Sequence, residues 1–180
     1  SSIYIMNKFK KVLNFHFFAG TLLLVLSCTE AEPKKGENNI TYKKEFFTFH
    51  IGKIPILAEL AILPKEREKG LMFRDKLKPG TGMLFIFNSA TPQKFWMKNT
   101  RIPLDIGYFS SNGALKEIHA AKPFDLSGVP SRSKKIQFVL ELNLNDFRGQ
   151  DLKIGDRISL EDIRIAIRKR GLDPKNYLTD

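Results

Sequence analysis

The stretch Gly82–Phe87, GMLFIF, is an unbroken apolar run of strand length. A strand with one face in water alternates apolar and polar residues, so an unbroken run reads as a strand covered on both faces. The chain must therefore build a sheet with material above and below it. Other short segments supply the neighbouring strands. Phe47, Phe49 and Ile51 alternate with Thr48 and His50, Gly52-Lys53 offers a turn, and IPILAEL follows, so a hairpin is expected over about 45–60. LDIGYFS, ALKEIHA, KKIQFVLEL and GDRISL are further strand candidates, separated by the turn signals SSNG and SGVPS. Helical signal is sparse. In PKEREKGLMF, Pro64 suits a first turn, Glu66 and Glu68 its N-terminal half, and Gly70 its end. A weaker helix lies within LNLNDFRGQDLKI. The expected fold is β-rich α+β: a single compact, barrel-like or strongly curved, mostly antiparallel sheet with one or two short helices. In the last segment Ile163, Ile165 and Ile167 alternate, and residues 163–180 read as an edge strand with a basic tail.

At 180 residues and 42% hydrophobic content the chain supports one sizeable core, hence one domain with tails. The first tail has a distinct grammar. From Met6, three lysines (Lys8, Lys10, Lys11) precede an apolar run from Phe17 to Leu26 that ends at Ser27-Cys28, the pattern of a secretory signal over residues 1–27. The run is half the roughly 20 residues that a spanning helix requires. Cys28 is the sole cysteine; no intrachain disulfide is possible, and its place after the apolar run resembles a bacterial lipobox. The expectation is a lipidated Cys28 beginning a tether over 28–39, where TEAEPKKGENN has no large apolar side chain to offset its ordering entropy. Acyl chains add about 0.8 kcal/mol per buried methylene, so two or more on one residue hold a protein at a membrane. The partners expected are a membrane through this anchor and an unknown small-molecule or envelope ligand. The net charge of +11 does not point to nucleic acid: no stacking motif accompanies it, and an exported protein has little need of it.

Several stretches between Ile54 and Leu160 together carry a resemblance. AELAILPKEREKGLMFRDKL, GMLFIF, FWMKNTRIPLDIGYF, PSRSKKIQFVLEL and KIGDRISL, in that order and spacing, resemble the bacterial and archaeal family called domain of unknown function 192. The resemblance implies a small β-rich domain over about 40–162, often exported or membrane-linked, and with no established activity. One departure is visible: members usually carry a small, glycine-containing turn after the VLEL strand, where this chain has NLNDF.

The segment FWMKNT, 95–100, holds the only tryptophan. As an alternating strand it would place Phe95, Met97 and Asn99 on one face and Trp96, Lys98 and Thr100 on the other. One reading is a core segment, with Lys98 paired to a carboxylate and Asn99-Thr100 capping a turn. The other is a cleft lined by Trp96, with Lys98, Asn99, Asp105 and Arg74 as convergent polar groups; Arg74 enters through the family element GLMFR. Catalytic inventory is thin. The serines lack a nucleophile motif, and His50 and His119 lie in separate strand candidates without ligand spacing, so neither a metal nor a cofactor is expected. The enzyme alternative is an envelope hydrolase or lyase with Asp105 and Glu59 as acid and base and Lys98 or Arg74 stabilising negative charge. The preferred reading is a lipid-anchored, envelope-facing binding or accessory module centred on FWMKNT.

Overall fold

The computed structural model describes residues 45–178; the segments expected to be signal and tether, and Cys28, lie outside them. The described elements are β1 (Phe46–Ile51), β2 (Ile54–Ala61), α1 (Pro64–Lys69), β3 (Thr81–Thr91), β4 (Lys94–Phe95), β5 (Leu104–Phe109), β6 (Leu115–Ala121), β7 (Val129–Pro130), β8 (Ile136–Asn143), α2 (Asp146–Gly149), α3 (Leu160–Lys169) and a 3-10 turn at Pro174–Asn176. Six strands form one sheet in the order β1-β2-β3-β8-β5-β6, and β4 pairs with β7 apart from it. The only parallel pair in that sheet is β2 with β3; its other neighbours run antiparallel. The expected hairpin is present, closed at Gly52-Lys53.

The sheet is open, yet it curls until both edges meet one segment. Residues 155–159 hydrogen-bond to β1 and the turn after it on one side, through Gly52 N to Arg157 O (2.8 Å) and Ser159 N to His50 O (2.8 Å). On the other side Leu115 N donates to Asp156 O (2.7 Å) and Ile158 N to Gly113 O (2.9 Å). GDRISL thus acts as a clasp across the two ends, which gives the barrel-like curvature.

Partners across a sheet share a face. Leu60, Leu84 and Leu140 stand in one row and Glu59, Met83, Glu141 and Ile106 in the adjacent, opposite-facing one. Both faces are buried, which accounts for the continuous apolar runs in β3, β5 and β8. The first face packs against Phe147 of α2 and Ile163, Ala166 and Ile167 of α3. The second is closed by loops carrying Leu71, Leu77, Met97 and Ile102.

The edge strand expected at 163–180 is corrected: Leu160–Lys169 is α3. Ile163, Ala166 and Ile167 are the buried residues of this helix, at three- and four-residue spacing, while Ile165 is exposed. The alternation of the isoleucines masks this pattern, because the small Ala166 completes the buried stripe. Ser159 caps the helix by accepting from Asp162 N (3.1 Å), and Asp162 in turn accepts from the backbone N and the ring Nδ1 of His50, both at 2.8 Å. After VLEL, where the family's glycine turn is missing, Asn145 takes a left-handed φ of 72° and starts α2; asparagine tolerates that region better than other side chains.

Gly107 in β5 leaves the space that α2 fills, since a Cβ there would lie 2.3 Å from Cζ of buried Phe147. Gly107→Ala is expected to cost about 1–3 kcal/mol by overpacking, read as a lower urea midpoint at unchanged m-value. A melt indistinguishable from wild type would show that α2 is not seated on this strand.

Candidate functional site

The FWMKNT segment leaves the sheet almost as it begins. Its strand ends at Phe95, whose ring stands edge-on to Phe85 (4.8 Å between centroids) and Tyr108 (6.2 Å). Met97 is buried; Trp96 is 48% exposed and Lys98 is exposed, with the Lys98 ammonium 5.0 Å from the Trp96 ring centroid. The expected alternation therefore holds from Phe95 to Lys98 and fails beyond. At Asn99 the chain turns through φ 54°, and Thr100 goes inward, its N donating to Met97 O (3.1 Å).

Two loops clamp this turn through backbone hydrogen bonds. Phe73 N donates to Asn99 O (2.8 Å), Phe124 N to Thr100 O (3.2 Å) and Met97 N to Asp125 O (2.9 Å). Phe73 and Phe124 adopt left-handed φ values of 64° and 61° with exposed rings. For a bulky residue this is a costly conformation that surrounding structure must hold.

Between the first loop and the turn lies a cleft of about 430 Å³. Lys65 and Lys69 of α1 and Met72 and Phe73 after it form one wall, and Trp96, Lys98 and Asn99 the other. Three lysines face one acid, Glu68, so the mouth is cationic. Below it a slot of about 30 Å³, bounded by Trp96, Met72 and Lys69, reaches Phe85, Thr100 and Glu141. Gly70 permits this close approach: it has φ 46°, and a Cβ there would lie 3.3 Å from the Phe85 ring.

Glu141 is 5% exposed, and its carboxyl takes part in no side-chain hydrogen bond or ion pair among the described residues. Burial pushes its pKa up to about 8, against the opposing pull of the Arg74 charge. Arg74 is already engaged, with NH1 and NH2 donating to the two oxygens of Glu59, the latter at 2.8 Å. Phenolic Tyr108, pushed far up by burial and then by Glu141 and Glu117, donates to Val129 O (2.5 Å).

The sequence-derived residues thus divide three ways. Trp96, Lys98 and Asn99 line one cleft. Arg74 and Glu59 line a neighbouring cavity of about 340 Å³ that shares only Lys65 and Lys69 with it. Asp105 belongs to neither. It pairs across the strands with Leu142, while Glu59 lies in the row of Glu141 and Ile106; one residue of offset puts Asp105 and Glu59 on opposite faces. Asp105 accepts from Asn145 N (2.8 Å) and anchors the start of α2, its pKa raised first by desolvation and lowered in part by that bond. The acid–base pair expected of Asp105 and Glu59 is not brought together, nor does Asp105 meet Lys98 or Arg74. His50 binds Asp162, and His119 Nε2 lies 2.8 Å from Glu117, whose pKa is lowered by donors from the 132–133 backbone and by His119 despite desolvation. Glu141 was missed. Its signal is the single charge inside IQFVLEL, an otherwise uncharged strand buried over Ile136–Leu142.

The model of DUF192, a family described as an uncharacterized ACR, matches residues 48–160. The chain belongs to the DUF192 family. Its DUF192 domain is similar to proteins of known crystal structure, among them these two. One, from Sinorhizobium meliloti and described as a candidate transcription regulator, is 34% identical with a TM-score of 0.61, over 64% of this chain and 94% of that one. The other, of unknown function, from Novosphingobium aromaticivorans, is 31% identical with a TM-score of 0.59, over 63% and 84%. No curated protein matches. The DUF192 match includes Trp96, Lys98 and Glu141 and stops at the first residue of α3.

The folded carboxyl of Glu141 keeps its proton to about pH 8, whereas an unfolded one releases it near 4.5. Between those values only the unfolded chain ionises, so this group's contribution is fully favourable below about pH 4.5, declines as pH rises and levels off above 8. Glu141→Gln removes the decline. The melting temperature of the variant relative to wild type should rise between pH 5 and pH 8 by the equivalent of at least about 1.4 kcal/mol, one pKa unit, or roughly 3–5 °C. A gap constant with pH would show that Glu141 is ionised in the fold.

Proposed function

We propose that this DUF192 protein is an exported, lipid-anchored, envelope-facing binding or accessory module that takes a small ligand in the Trp96 cleft. The observation that carries the reading is a half-exposed tryptophan in the wall of a concave site, with a lysine ammonium over its ring and polar groups converging around it. Apolar walls with a few placed polar groups are how small-molecule sites are built. The signal grammar ending at Cys28 supports the location. On this reading acyl chains at Cys28 hold the domain at the envelope membrane and residues 29–39 give it reach.

Both parts have a direct test on the full chain in detergent. A thermal-shift screen of small molecules should find binders, since binding to the folded state alone raises stability by mass action. Trp96→Phe should then keep the melting temperature within about 2 °C, less than 1 kcal/mol, while weakening those binders; Lys98→Met should weaken the anionic ones. A screen in which every binder survives Trp96→Ala would move the site elsewhere. For the location, Cys28→Ser should shift the protein from the membrane fraction to the soluble one and abolish the lipid mass; wild-type protein recovered wholly soluble after export would end that part.

A further inference from the structure

The cleft and the slot beneath it share Glu68, Lys69, Met72 and Trp96, so they form one path from a cationic mouth to Glu141. Its character changes with depth. Lys65, Lys69 and Lys98 stand at the mouth, Trp96 and Met72 in the middle, and the carboxyl of Glu141, a residue only 5% exposed, at the inner end. A carboxyl in a strand whose neighbours are all buried costs stability that an apolar side chain there would not. The groups around it do not compensate. From α1, Arg67 is turned to the carbonyls of Ile62 and Ile86, the latter at 3.1 Å, while Glu68 is itself acidic and Lys69 also borders the outer cleft. From the following loop Arg74 is committed to Glu59, and from β5 Tyr108 donates its proton to Val129 O.

We propose, resting on the binding reading above, that the path selects a small compound with three parts. An anionic head, carboxylate or phosphate, sits at Lys65, Lys69 and Lys98; a flat apolar body lies against Trp96 and Met72; and a hydrogen-bond acceptor at the far end meets the buried carboxyl of Glu141. The inner slot, at about 30 Å³, admits only one small group such as a carbonyl or hydroxyl oxygen. A cationic ligand would have to pass three lysines and would require Glu141 ionised.

Binding should weaken as the Glu141 carboxyl loses its proton, near pH 8. The test uses Trp96, the sole fluorescent tryptophan, in the full chain with defined probes: 4-acetylbenzoate and 4-acetylphenyl phosphate, which differ in the head; 4-ethylbenzoate, which lacks the acceptor; and 4-acetylbenzylamine, which carries an ammonium. One or both acetyl anions should quench Trp96 saturably, the tighter of them naming the head group. The ethyl compound and Lys98→Met should each weaken binding about fivefold or more, and affinity should fall about tenfold from pH 7 to pH 9.5. In Glu141→Gln, which keeps an N–H donor, that pH dependence should vanish; Glu141→Leu should not bind the acetyl probes. Tighter binding of the ammonium probe, rising with pH, overturns this proposal and leaves a Trp96 site standing. Silence from all four probes at 10 mM, on the order of the weakest useful affinities, overturns it too; if the broader screen still yields Trp96-dependent binders, only the ligand class is wrong, and if that screen is empty the binding reading falls with it.

Discussion

Burial of the sheet on both faces governs the rest of this molecule. Strands β8 and β5 and the Thr81–Ile86 stretch of β3 have almost no side chain that meets water, so both surfaces must be covered, and the chain covers them by different means. One face is closed by helices, whose backbone groups are satisfied internally and which need only present an apolar stripe. The other is closed by loops. A loop over a core must find partners for its own N–H and C=O groups, and here the loops find them in one another: Phe73 with Asn99, Phe124 with Thr100, Met97 with Asp125. The cleft is the gap that this mutual bonding leaves beside the turn. Its place on the loop face thus follows from the economy of backbone hydrogen bonding.

The cationic wall depends on a helix that cannot stand alone. Helix α1 has six residues, none of them buried, and isolated helices of that length do not form in water. Two charged side chains fix it instead. The Glu66 carboxylate accepts from Ile62 N (3.0 Å) and Leu63 N (2.9 Å) at the helix start and is bound by Arg170 beyond α3, which also donates to Leu60 O (3.2 Å). Arg67 reaches the carbonyls of Ile62 and Ile86 with its guanidinium 5.2 Å from the Phe87 centroid; burial, the largest influence on it, lowers its pKa. The positions of Lys65 and Lys69 are therefore set partly from the opposite face of the sheet, through a residue outside the DUF192 span.

What could be read in the sequence was what has a short period. GMLFIF announced a doubly covered strand, the Phe47-Phe49-Ile51 alternation announced a hairpin, and Pro64 to Gly70 announced a helix, because each pattern is complete within a few residues. Helix α3 was misread since three isoleucines fit period two as well as period four, and the small Ala166 decides between them. Trp96, Lys98 and Asn99 were legible as a group because the turn that joins them is contiguous. Asp105 and Glu59 were not separable, since which face a residue takes depends on strand register, a non-local quantity. Glu141 was visible as a charge inside an apolar run and went unweighed.

The site joins a fixed floor to a mouth held under tension. Glu141 lies on β8, bonded on both sides by β3 and β5, so its carboxyl has little freedom to reorganise toward water or a counter-charge. The mouth hangs on two phenylalanines in a conformation that favours glycine. Neither ring is buried, so core packing does not fix these residues; the backbone bonds to Asn99 and Thr100 do. A site made this way discriminates at its inner end, where geometry is rigid and a wrongly paired polar group is costly. It adapts at its outer end, where lysines and exposed rings tolerate different shapes. On the proposed binding reading, chemical specificity would reside in Glu141, and the lysines around Trp96 would set which charge is admitted.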